Sequence, residues 1–327
     1  MPSFAYAETL PLQELVSTRQ VFPALARAGV GLVAAVRPWD MHIAPRLWHA
    51  AREVGVALRV WPMIEDEHGR WLSVHNVGRF RAMVGALDEL LTATLPASER
   101  VDLLLDLEMP HDRMQAWSVL PMRAVCTDVA RHALAWRKIA PAPEDDAWLA
   151  GLRDTRAVDV AVPPMLAWDD PDRSGWSRVM GLPRLAFAST VSPMAYTTLL
   201  AGYSRGVIHR ARAKRMLAAI AHETCAQWGT RAALSLGCIG TGALGNEATY
   251  KGPDDLREDA RIARAAGIET LSIFDLGGMV RRGGADEWLS AFAAGVREGA
   301  REHAGRHVPT LVGRAARVVL RGVSRLG

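Results

Sequence analysis

Apolar runs of strand length recur along almost the whole chain, and a helix-length amphipathic stretch separates most of them. The runs lie near residues 4–8, 31–37, 56–64, 101–108, 158–168, 184–196, 232–238 and 268–275, with amphipathic segments at 42–54, 78–95, 205–228 and 255–266 among them. Strands that are apolar on both faces belong to parallel sheets, and parallel neighbours need a crossover long enough to hold a helix. About eight strand–helix units within 250–300 residues predict an α/β fold, a single (β/α)8 TIM barrel over residues 1–296. A doubly wound open sheet would carry a Gly-rich phosphate loop after its first strand, and none is present. Half of the residues are hydrophobic and 23% are charged, enough for a large core. Asp255-x-x-Glu258 has capping-box spacing, and Gly267 stands where a helix end favours a left-handed residue.

In such a barrel the chemistry sits at the C-terminal ends of the strands. The fourth run, VDLLLDLEMP over residues 101–110, has two faces. Side chains alternate, so Leu103, Leu105 and Leu107 point one way while Asp102, Leu104, Asp106 and Glu108 point the other. The strand therefore ends with two adjacent carboxylates on one face. Like charges that close raise at least one pKa, which keeps a carboxylic acid able to donate a proton near neutrality. Glu108 reads as a general acid/base with Asp106 beside it. Glu8 and Asp275 at the ends of the first and last runs, and Glu247 in the Gly-containing loop after the seventh, are further carboxylates for the same rim.

Asp106-Leu-Glu108-Met-Pro110 resembles the DxE-x-P end of the signature of family 18 glycoside hydrolases, the chitinase-like proteins, and Met194-Ala-Tyr196 is similar to that family's Met-x-Tyr motif. The resemblance implies a glycosidase in which Glu108 is the acid/base, Asp106 its neighbour and Tyr196 a hydroxyl that contacts substrate. The chain differs at Leu104 and Thr197, where the family has acidic residues, at Asp102, where it has Gly, and at Asp275, where it has Trp. Two alternatives therefore stay open: a glycan-binding barrel without hydrolysis, and another barrel enzyme, such as a lyase or a phosphosugar enzyme using Arg281 and Arg282 in the Gly-rich segment 277–284.

Trp39, Trp61, Trp71 and Trp168 fall at or just beyond strand ends, where flat rings suit sugar faces. With Glu8 and Asn76 they complete the expected substrate-binding set, and a carbohydrate or glycoside is the expected partner. His42, His68, His75 and His111 occupy rim loops without metal-ligand spacing, so neither a metal nor any other cofactor is expected.

Residues 296–327 hold seven arginines against two glutamates, so that segment is +5 and the remainder −1 in a chain of net +4. Residues 297–327 read as a basic C-terminal extension, with Arg314, Arg317, Arg321 and Arg325 on one helical stripe. That stripe suits peripheral contact with an anionic membrane or with a partner; a body without basic excess and a tail without aromatics argue against nucleic acid. Cys126, Cys225 and Cys238 form no disulfide framework, there is no apolar span of membrane length, and the N-terminus has no secretory pattern. A cytoplasmic location is the expectation.

Overall fold

Eight parallel strands form the centre of the molecule: β1 (Ser3–Ala7), β2 (Val30–Val36), β3 (Leu58–Pro62), β4 (Asp102–Asp106), β5 (Val158–Val162), β6 (Thr190–Pro193), β7 (Ala233–Gly237) and β8 (Thr270–Phe274). They were described from a computed structural model that covers residues 3–18, 20–96, 99–135, 142–169, 175–204 and 207–303. The sheet order is β6-β5-β4-β3-β2-β1-β8-β7. Parallel bridges Val191↔Ala232 and Met194↔Ser235 join β6 to β7 and close the barrel. The expected (β/α)8 barrel is the observed fold.

Period-two alternation decides which residues fill the barrel and which face the helices. Leu103, Leu105 and Leu107 belong to the outer core between strands and helices, while Leu104 joins Phe4, Tyr6, Val33, Trp61 and Phe274 inside. The lower interior also holds a charge pair: Arg59 is paired with Asp159 and lies over the Phe4 ring at 3.9 Å. Above it the Tyr6 hydroxyl and Ser192 Oγ each hydrogen-bond Ser235 Oγ at 2.8 Å.

Most strands are shorter than their apolar runs. Pro163-Pro164 ends β5 at Val162, and residues Pro164–Trp168 form a 3-10 turn instead of continuing the strand. Another 3-10 turn, Leu185–Phe187, precedes β6. The capping-box expectation at Asp255 is corrected: the N-cap of the helix Pro253–Ala265 is Gly252, three residues earlier, with Pro in the first turn, and the Asp255 carboxylate accepts from the Lys251 N–H at 2.9 Å. Gly267 does take the left-handed conformation after that helix, at φ +104. Residues 297–303 are the last turns of the helix Ala285–His303. The basic stripe from Arg314 to Arg325 lies outside the described residues.

The helices Pro253–Ala265 and Ala285–His303 pack very closely because Gly295 and Gly299 face Arg257 and Arg261. A Cβ at Gly295 would stand 2.1 Å from the Arg257 carbonyl oxygen. Gly85, in the helix Val77–Thr94, is exposed, with nothing within 4 Å of a Cβ. The same chemical change is therefore expected to act with opposite sign at these positions. Gly295→Ala should lower unfolding stability by about 1–3 kcal/mol. Gly85→Ala should raise it by about 0.5–1 kcal/mol, read in each case from urea unfolding.

Candidate active site at the C-terminal rim

The rim is assembled by strand ends that arrive as carboxylates and by one loop that brings a cation to them. Asp106 is the last residue of β4 and Glu108 lies two residues beyond it, on the same face; Glu8 directly follows β1. The loop after β3 folds back along β4 through the parallel bridge Leu72↔Leu107, with the Leu72 N–H donating to the Asp106 carbonyl at 2.8 Å. This placement carries Arg70 and Trp71 to the rim. Arg70 donates to Glu8 Oε1 at 3.2 Å, and its Nε and Nη2 donate to the two Asp66 oxygens at 2.8 and 3.1 Å. Its backbone sits at φ +58, a left-handed conformation that costs a non-glycine residue about 1 kcal/mol or more. Arg37 donates to Asp66 from the other side at 2.6 Å. Against the desolvation that pushes Asp66 up, these two guanidinium groups hold its carboxyl at about 2.

Three carboxyls in this chamber are driven the other way. Burial, then the charge of Glu8, pushes Glu108 from an ordinary 4.5 to about 8, with Arg70 opposing. Burial and the neighbouring Glu108 and Glu8 raise Asp106 well above its usual range. Glu8 rises to about 7 through burial, which its ion pair with Arg70 only partly offsets. Asp106 Oδ1, Trp61 Nε1 and Glu247 Oε2 are buried polar atoms without a protein hydrogen-bond partner among the described residues. Tyr196 stacks on Phe274 with ring centroids 5.8 Å apart, and burial keeps its phenol neutral.

A cavity of about 530 Å3 opens above this floor, a size typical of small-molecule sites. Of the residues expected from sequence, Glu8, Trp61, Trp71, Asp106, Glu108 and Tyr196 all line it. The structure places four others elsewhere. Asp275 is fully buried and caps the helix Leu276–Arg281: its Oδ1 accepts from the Gly278 N–H at 2.9 Å and its Oδ2 from Thr9 Oγ1 at 2.5 Å. Asn76 locks the β3 loop, accepting from the Ser73 N–H at 2.8 Å and donating to the His68 and Trp71 carbonyls at 3.1 and 2.8 Å. Trp168 is packed into the outer core, and Trp39 lies 59% exposed under Arg37 on an outward 3-10 turn.

Thr197 is buried and donates to Asp259, a carboxylate that also accepts from the Tyr250 hydroxyl at 2.8 Å and from Arg210 at 3.2 Å. This network anchors the helix Thr197–Gly202 that follows Tyr196. Arg281 and Arg282, considered for a phosphate site, bind the protein itself: Arg281 donates to Thr9, and Arg282 to the carbonyls of Ile239, Tyr250 and Lys251. No group of three or more His, Cys, Asp or Glu is placed to hold a metal among the described residues, and no described helix is long and apolar enough to cross a membrane. Sequence reasoning missed Arg70, Cys238 and the methionines of the cavity wall; only Arg70 left a trace, as a cation within the charged segment 65–70.

No family model and no curated protein matches the chain. Among solved structures it is similar to a protein of Bacteroides thetaiotaomicron VPI-5482 described provisionally as an alpha-L-fucosidase, with 7% identity, a TM-score of 0.51, and 91% of this chain and 95% of that one covered. That likeness bears on the fold, a barrel that accommodates many chemistries.

The raised carboxyls have a consequence for folding. Glu108 and Glu8 bind protons in the folded state up to about 8 and about 7, whereas an unfolded carboxyl releases its proton near 4.5. The folded chain then binds more protons than the unfolded one between those values, and stability falls as pH rises. Wild-type stability is expected to decline from about pH 5 to about pH 8, and Glu108→Gln to flatten that decline. Urea midpoints measured across the range would contradict this by rising with pH, or by showing equal slopes in both proteins.

Proposed function

We propose that the protein is a glycoside hydrolase whose general acid is Glu108. The observation that carries this reading is the cluster of the buried Asp106 with the partly buried Glu108 and Glu8, opposed by one arginine, in the lining of a ligand-sized cavity. Catalytic acids need a pKa near the working pH, and clusters of this kind supply it. Glu108 in its acid form donates its proton to the bridging oxygen of a glycoside. The C1–O bond breaks, and its electron pair leaves with that oxygen as an alcohol. Glu8, the member ion-paired with Arg70, is the carboxylate that stabilises the positive charge developing at C1. Water adds to C1, and its proton passes to the carboxylate that Glu108 has become, restoring the acid. Asp106 stands beside Glu108 on the same strand face and is itself raised by burial and by the Glu108 charge, and the neutral Tyr196 hydroxyl serves as a hydrogen-bond donor to the substrate.

This assignment agrees with the family 18 resemblance of the Asp106–Glu108 pair and Tyr196, and with the glycosidase description of the Bacteroides neighbour. The substrate is accordingly a carbohydrate conjugate.

A panel of 4-nitrophenyl glycosides in both anomeric forms tests the reading. Nitrophenol release is expected from at least one sugar, with turnover falling as pH rises through about 8, where Glu108 loses its proton. Glu108→Gln should lower kcat by about 10²-fold or more while the circular dichroism spectrum and melting temperature stay near wild type. Full turnover in the variant would overturn the role of Glu108. Sugar binding without cleavage across the panel would favour a glycan-binding barrel instead.

A further inference from the structure

A glycosidase that grips sugar on both sides of the scissile bond needs polar groups along its whole cleft. Most of the side chains lining the cavity here are apolar, and its charged groups are the carboxyls of Glu8, Asp106, Glu108 and Glu247. Its outer wall is built from Met109, Met114, Met165, Met180, Met194 and Ile208, contributed by segments remote from one another in sequence. Two exposed apolar residues lie close in sequence to the lining: Val119, two residues after Trp117, and Val207, next to Ile208, each 70% exposed. A second cavity, of about 320 Å3, adjoins the first at Glu8, Gly242 and Ala243, which line both. That second space is the more polar of the two, bounded by Thr9, Arg37, Asp40 and Arg70 together with apolar side chains such as Leu10 and Met63.

We infer that the site is built for an amphipathic conjugate whose leaving group is a bulky apolar alcohol or phenol instead of a second sugar. The apolar group fills the methionine-walled chamber, and the sugar occupies the polar compartment, so that the bond between them falls at the carboxylates around Glu8. This inference rests on the glycosidase reading for the bond that is broken, but the apolar chamber stands on its own geometry. Thioether side chains are flexible and polarizable, so a wall of them adapts to ligands of different outline. Selectivity should accordingly be broad for the apolar part, provided it is large and carries no charge.

The test uses 2-naphthol as the probe, titrated into the full-length protein by isothermal calorimetry and by intrinsic tryptophan fluorescence. Saturable one-to-one binding is expected, and it should persist in Glu108→Gln, which cannot turn over a glycoside. Met165 and Ile208 are only partly buried, so polar replacements there are compatible with folding. Met165→Gln and Ile208→Asn should each weaken naphthol binding by roughly tenfold, the loss expected when about one side chain's worth of apolar contact is removed. Melting temperatures measured alongside verify folding. Absence of saturable binding, or binding that neither replacement changes, would overturn the inference.

A second arm separates this inference from the reaction. For a sugar that the enzyme cleaves, the naphthyl glycoside should exceed the methyl glycoside in kcat/KM, and Ile208→Asn should narrow the gap. Equal values with no naphthol binding would leave a glycosidase without an apolar subsite. Naphthol binding with no cleavage of any glycoside would keep the apolar chamber and remove the glycosidase reading.

Discussion

One guanidinium faces the buried Asp106 and the partly buried Glu8 and Glu108 at the top of the barrel, and the character of the site follows from that imbalance. Arg70 is ion-paired with Glu8 and opposes the rise of Asp106 and Glu108, but it is already shared with Asp66. With too little positive charge to neutralise them all, the cluster meets the cost of burial by keeping protons. A surface loop rich in acids would behave differently, because water would solvate each carboxylate separately. Here the barrel interior below and the apolar wall above prevent that. The proton that would start the reaction is a product of the fold.

Much of the supporting structure serves to hold Arg70 where it is. The Leu72↔Leu107 bridge fixes the loop along β4, Asn76 at its end binds the backbone of His68, Trp71 and Ser73, and Arg37 and Arg70 both donate to Asp66. The left-handed backbone at Arg70 is tolerated because these contacts over-determine it. On the opposite side, Asp275 joins the loop after β1 to the helix after β8 through Thr9, which steadies the stretch that carries Glu8.

The barrel was legible in the sequence because its signal is repeated: each apolar run and the helix after it carry the same message. Strand ends were harder to place. The run 158–168 contained Pro163-Pro164, and those prolines, which stop β5 at Val162 and turn Trp168 into the outer core, were the available signal. Glu108 and Asp106 were legible because alternation along one strand fixes the face each side chain takes. Asp275 shared their position at a strand end, yet a capping role follows from the Gly277-Gly278 turn behind it, which lets two loop backbones touch. Arg70 showed only as a cation within the charged segment 65–70, and the methionine wall had no local signature, since its members are brought together by tertiary contacts between distant segments.

The most direct measurement is a pH titration of the Glu108 carboxyl itself, by carbon-13 NMR of glutamate-labelled protein with the signal assigned through Glu108→Gln. A midpoint near 8 is expected, with a smaller displacement for Glu8 toward 7. A Glu108 signal that titrates at the ordinary value near 4.5 would contradict the central claim, because the group would then carry no proton to donate at neutral pH.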